Sequence, residues 1–105
     1  GNLTGTLTND TNNVLTVSHD VTNIEDGSTV TLKWYANGSD TGANDSNKPA
    51  NATVVVTENG KVANGKIIFT LTEDGSDITA ETEYFYGVEV NNVEFRFSIT
   101  TPETT

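Results

Sequence analysis

The chain has 105 residues, no cysteine and a formal net charge of −10, from fifteen carboxylates against five basic residues. That length holds one domain with a modest core, and without cysteine there is no disulfide, no thiolate metal site and no sulfur nucleophile. The acidic balance repels phosphate backbones and anionic bilayers, which argues against nucleic acid and lipid as partners, and no apolar stretch approaches the roughly 18 residues of a membrane span, so no membrane insertion is expected.

Thr and Asn dominate the polar residues, and apolar residues nowhere recur with helical spacing, so the chain is expected to contain strands and turns but no helix. Residues 2 to 8 place Leu3 and Leu7 on one face around Gly5 and read as a weak edge strand. Residues 14 to 21 alternate, with Leu15, Val17, His19 and Val21 on one side and Thr16, Ser18 and Asp20 on the other. After the turn Glu25-Asp26-Gly27-Ser28, residues 29 to 36 form a strong strand with Val30, Leu32 and Trp34 inward and Thr31, Lys33 and Tyr35 outward. The stretch from Asn37 to Asn51 is rich in Asn, Gly, Asp and Ser and predicts little regular structure. A Val-rich strand over 52 to 58 is expected to end in a hairpin turn at Asn59-Gly60, and Asn64-Gly65 offers a second such turn. Ile67, Phe69 and Leu71 share a face of the next strand, and Asp74-Gly75-Ser76 turns the chain again.

The last hairpin is the clearest pattern. Tyr84, Tyr86, Val88 and Val90 alternate onto one face, Val93, Phe95, Phe97 and Ile99 do so after it, and Asn91-Asn92 between them tolerates the positive φ of a tight turn. About seven short strands separated by polar turns predict an all-β sandwich of two antiparallel sheets. Residues 1–101 are assigned to this single domain, and 102–105, opening on Pro102, to the start of a polar linker or tail.

The run Ile78-Thr79-Ala80-Glu81-Thr82-Glu83-Tyr84, with the alternation to Val90 and the closing Ser98-Ile99-Thr100-Thr101-Pro102, resembles the second half of a fibronectin type III domain. That resemblance implies that Tyr84 makes a corner by hydrogen-bonding back to the preceding loop. Ile78 stands where the family commonly has Leu, and Ala80-Glu81 where it has Pro-Gly. Trp34 matches the family's buried tryptophan, while Trp34-Tyr35-Ala36-Asn37-Gly38 equally resembles strand C of bacterial and archaeal Ig-like surface domains. Both resemblances imply an Ig-like sandwich and leave the strand order open.

No catalytic constellation is found. His19 is the only histidine, which excludes a triad or a His-rich metal site, and its place in the alternation predicts a structural histidine at the sandwich rim. No cofactor is expected except calcium, for which Asp74, Asp77 and Glu81 are the candidate ligands in one acidic connection, without EF-hand spacing. Sequons begin at Asn2, Asn9, Asn37, Asn44 and Asn51 and are candidates for glycosylation. The outward positions Lys33, Tyr35, Phe85 and Arg96 make a candidate binding face, in which Tyr35 and Phe85 either leave large rings in solvent for a surface glycan or a protein, or support the sheet across its strands with Arg96 and Lys33 covering the rings through their aliphatic stems.

These patterns lead to the expectation of a non-enzymatic, extracellular structural or adhesive module of a prokaryotic cell-surface protein or filament, meeting neighbouring domains or subunits end to end. An accessory carbohydrate-binding module of a secreted enzyme, with Tyr35 and Phe85 as its platform, is the first alternative. A fibre subunit assembled by donor-strand exchange through the Leu3 to Leu7 strand is the second.

Overall fold

A computed structural model of the chain describes the backbone of residues 2–9, 13–36 and 53–103, and side chains over 13–36 and 53–103. The strands are β1 (Asn2–Asn9), β2 (Val14–Thr22), β3 (Thr29–Tyr35), β4 (Val54–Lys61), β5 (Lys66–Thr72), β6 (Glu83–Val90) and β7 (Val93–Thr100). They form two antiparallel sheets, ordered β1-β2-β5 and β4-β3-β6-β7, and no helix occurs among the described residues. The protein is an all-β sandwich.

Its core follows from period-2 alternation. Leu15, Val17 and His19 from β2 and Ile67, Phe69 and Leu71 from β5 face Val30, Leu32 and Trp34 from β3 and Tyr84, Tyr86, Val88 and Val90 from β6, all essentially buried. Trp34 stacks on Tyr86 at 5.3 Å and 13° and meets Tyr84 at 5.2 Å in a tilted arrangement. His19 does not sit at the rim: it is 0% exposed, with Nε2 2.8 Å from the Tyr86 hydroxyl across the gap between the sheets and its ring 4.5 Å from that of Phe97. A histidine can take a core position because its ring packs as an aromatic while the hydroxyl of Tyr86 satisfies one nitrogen.

Two turn assignments separate in the structure. Asn59-Gly60 is not a hairpin turn; it lies inside β4, with Asn59 opposite Thr31 and Gly60 opposite Val30. The Thr31 hydroxyl donates to Asn59 Oδ1 at 3.0 Å, and Gly60 packs beneath Val30 and Phe69. The chain instead turns at Asn64-Gly65, where both residues have positive φ (53° and 70°) and Ala63 bridges Lys66. This turn carries the chain from one sheet to the other, after Val62, which is 2% exposed, has plugged the core. Asn91 and Asn92, at φ 51° and 65°, do make the tight final turn between the paired Val90 and Val93.

The registers fix where the two ends of the chain lie. Asn2 is opposite Thr22, and the 23–28 loop that follows Thr22 leads into Thr29. Val30 is opposite Val90, so β7 starts at this same end and runs to Thr100 at the other, beside Glu83. There Thr101 is buried: its N–H donates to Thr82 O at 2.9 Å and its hydroxyl to Thr79 O at 2.6 Å. The chain enters and leaves the sandwich at opposite poles.

Candidate interaction face

The outer face of the four-stranded sheet is built by the residues between the core positions. Lys33, Gly87 and Arg96 stand in one cross-strand row, Thr31, Glu89 and Glu94 in the next, and Phe85 is opposite Ser98. The four residues singled out from sequence, Lys33, Tyr35, Phe85 and Arg96, therefore alternate onto this one face.

Their exposure differs from the open-ring expectation. Tyr35 is 8% exposed and Phe85 half-buried, so the pair does not leave two rings flat in solvent. A register shift between Trp34 and Tyr35 opposite β4 puts a bulge at this position, and both Trp34 and Tyr35 are buried there. The Tyr35 hydroxyl donates to Glu94, 3.2 Å from Oε1, and Arg96 Nε donates to Glu94 Oε2. Glu94 can lie inward because Gly87 has no side chain: a Cβ there would stand 2.7 Å from Glu94 Cδ and 2.8 Å from Oε1. Burial, followed by the Glu94 charge, pushes the Tyr35 phenol above its ordinary value.

Two residues that organise this face, Gly87 and Glu94, were not among those singled out from sequence. The available signal was a glycine inside a strong strand pattern, which marks a close approach by another group. Lys33 pairs with Glu89 at 3.8 Å, both partly exposed, a contact of little energetic weight. Beside it Thr29, Thr31, Glu89, Asn91 and Asn92 line an open hollow of about 360 Å³ whose lining includes no aromatic ring.

The acidic connections use their carboxylates on the backbone. Asp74 Oδ1 accepts from Ser76 N–H at 2.8 Å and Ile78 N–H at 3.1 Å, which with Ile78 as the larger cause holds its carboxyl below the usual range. Asp77 and Glu81 are exposed, and among the described residues no three His, Cys, Asp or Glu side chains gather as a metal site. Asp26 spans the Asn64-Gly65 turn, Oδ2 accepting from Asn64 N–H at 3.1 Å and Oδ1 from Gly65 N–H at 3.3 Å. Of the sequons, Asn2 and Asn9 begin and end the edge strand β1, while those at Asn37, Asn44 and Asn51 lie outside the described residues.

The Tyr84 hydroxyl accepts the Thr79 N–H at 2.9 Å and lies 3.1 Å from the Thr79 hydroxyl, closing a tyrosine corner against the preceding loop. No family model matches the chain, and no curated protein matches it.

Proposed function

We propose that the chain is a non-enzymatic, fibronectin type III-like module of an extracellular prokaryotic surface protein or filament, built to be joined in series. The observation that carries this reading is that the first strand starts and the last strand ends at opposite poles, with Thr101 tied down at the exit by hydrogen bonds to Thr79 and Thr82. Strand order supports the fibronectin-like side of the resemblance. In a constant-type Ig sandwich the fourth strand would flank the fifth, whereas here β4 lies on β3. The tyrosine corner at the start of β6 supports it as well.

The rival readings lose their specific footing. A sugar platform needs Tyr35 open, and it is buried with its hydroxyl on Glu94. Donor-strand exchange needs the first strand to leave its own sheet, and β1 pairs along β2 from Asn2 to Asn9 within the chain. The function then lies in holding distance and orientation between neighbours, with any specific contact made through the outer face around Phe85 and Arg96.

Two copies joined directly, residue 105 to residue 1, provide the test. Small-angle scattering should give an elongated particle, and calorimetry a transition at the single-copy temperature or slightly above. A compact particle with the copies side by side would overturn the serial reading.

A further inference from the structure

Of the three Asn-Gly dipeptides in the sequence, the two among the described residues, Asn59-Gly60 and Asn64-Gly65, are chemically alike and sit in opposite environments. Asn followed by Gly is prone to cyclise: the glycine nitrogen attacks the Asn Cγ, an N–Cγ bond forms, and the side-chain nitrogen leaves as ammonia carrying the displaced proton. Water then opens the succinimide to aspartate or isoaspartate. Glycine favours the step because no side chain crowds the attack.

Asn59 is held in the β3–β4 ladder with its side-chain oxygen on Thr31, so its backbone is extended and paired. Asn64 is exposed at the tip of a turn, in the left-handed region, and is followed by Gly65 at φ 70°. We propose that Asn64–Gly65 is a site of spontaneous succinimide modification in this protein, and that the carboxylate of Asp26, 38 residues away in sequence, sets its rate.

The geometry gives Asp26 two effects. It accepts the N–H groups of both Asn64 and Gly65, so rotating Asn64 about its Cα–C bond to bring the Gly65 nitrogen toward Cγ breaks at least one of these bonds. The Gly65 carbonyl is also occupied, accepting from Val21 N–H at 2.9 Å. Moreover, the attacking nitrogen must shed its proton, and a carboxylate 3.3 Å away disfavours the anion that results. Conversion therefore proceeds through openings in which the 23–28 loop releases the turn.

The product does not restore the clamp. A new carboxylate at position 64 faces Asp26 as a like charge, and isoaspartate lengthens the backbone of a turn in which Ala63 and Lys66 exchange bonds at 2.9 and 3.0 Å. Modification at Asn64 would record, irreversibly, that the entry pole had opened.

The test incubates the full chain at neutral pH and follows the amide-to-acid mass gain by peptide mapping, with Asn59 as the internal control. In the unchanged protein Asn64 should convert more slowly than in the same chain unfolded in urea. Asp26→Ala should raise the ratio of Asn64 to Asn59 conversion about tenfold, the size of losing one hydrogen bond to a charged group. If both sites accelerate together the variant has unfolded, and Asp26→Ser, which keeps a short hydrogen-bonding side chain but not its charge and creates no new Asn-Gly pair before Gly27, must then raise the ratio. Conversion of Asn64 at its urea rate in the unchanged protein, or an unchanged ratio in the folded Asp26 variant, overturns the proposal.

Discussion

The two faces of the four-stranded sheet carry similar side chains under different rules. On the inner face Trp34, Tyr84 and Tyr86 pack ring to ring, and each tyrosine hydroxyl finds a partner: the Thr79 backbone for Tyr84 and His19 of the other sheet for Tyr86. On the outer face Tyr35 is also buried, but it is covered by its own sheet, its hydroxyl on a carboxylate that is itself held by Arg96. Alternation determines which way a residue points. Whether it is then exposed depends on what its cross-strand neighbours do, and here a missing side chain at Gly87 decides it.

The contrast predicts a wide gap in energetic weight. Trp34→Ala empties the centre of the aromatic stack, and should cost about 3–5 kcal/mol in a denaturant melt. Against the roughly 5–15 kcal/mol that holds a domain together, that is a large share and enough to populate the unfolded state. A loss no bigger than that of a surface substitution would mean that the inner face is not the keystone of the fold.

Tyr84→Phe keeps the ring and deletes only the corner. It leaves the half-buried Thr79 N–H without its acceptor, so the expected cost is about 1–3 kcal/mol. Hydrogen exchange should localise the change, with the Thr79 amide losing protection while amides of β2 and β5 keep theirs. Loss of protection across both sheets would show instead that the corner supports the whole sandwich.

How much of this was legible in the sequence follows the same division. The inner face was, because burial there depends on a residue's own alternation and size: Leu15, Val17, Val30, Leu32, Trp34, Ile67, Phe69 and Leu71 all read correctly. The depth of His19 and the cover over Tyr35 were not, since each depends on a partner distant in sequence, Tyr86 in one case and Glu94 in the other. The Asn-Gly pairs make the point most sharply. Identical dipeptides became a strand and a turn, one held by Thr31 and the other by Asp26, and neither determinant is local.

Asp74 extends the comparison to the exit pole, where a fully exposed carboxylate is shifted by hydrogen bonds and not by burial. Accepting from Ile78 and Ser76 lowers its folded value below 3.8. Its contribution is therefore present above the unfolded value and disappears as pH falls through the folded one. Acid melts should show a loss of stability in that window that is smaller in Asp74→Asn. An acid limb of equal steepness in both proteins would place the sensitivity on other carboxylates.

Gly87→Ala should produce the smallest stability change and the most specific test of the outer face. The added methyl occupies the space of the Glu94 carboxyl group and must displace it. Losing the Tyr35–Glu94 bond, whose acceptor is charged, costs about 1.5–3 kcal/mol, while replacing a glycine inside a strand returns about 0.5–1 kcal/mol. The second offsets part of the first, so the melting midpoint should fall only modestly. The phenol of Tyr35 should move, because Glu94 is the second cause of its raised value after burial, and with that charge withdrawn the group titrates closer to 10.0. Its sign is set by linkage: a raised phenol contributes stability below its unfolded value that is lost as pH climbs toward the folded one, so the variant should lose less on the alkaline side. An ultraviolet titration reads this directly, with Tyr35→Phe identifying which of the three tyrosines responds. If the alkaline transition of Tyr35 stays where it was, Glu94 has found another route to the hydroxyl, and Gly87 is not what lets the outer face close over its tyrosine.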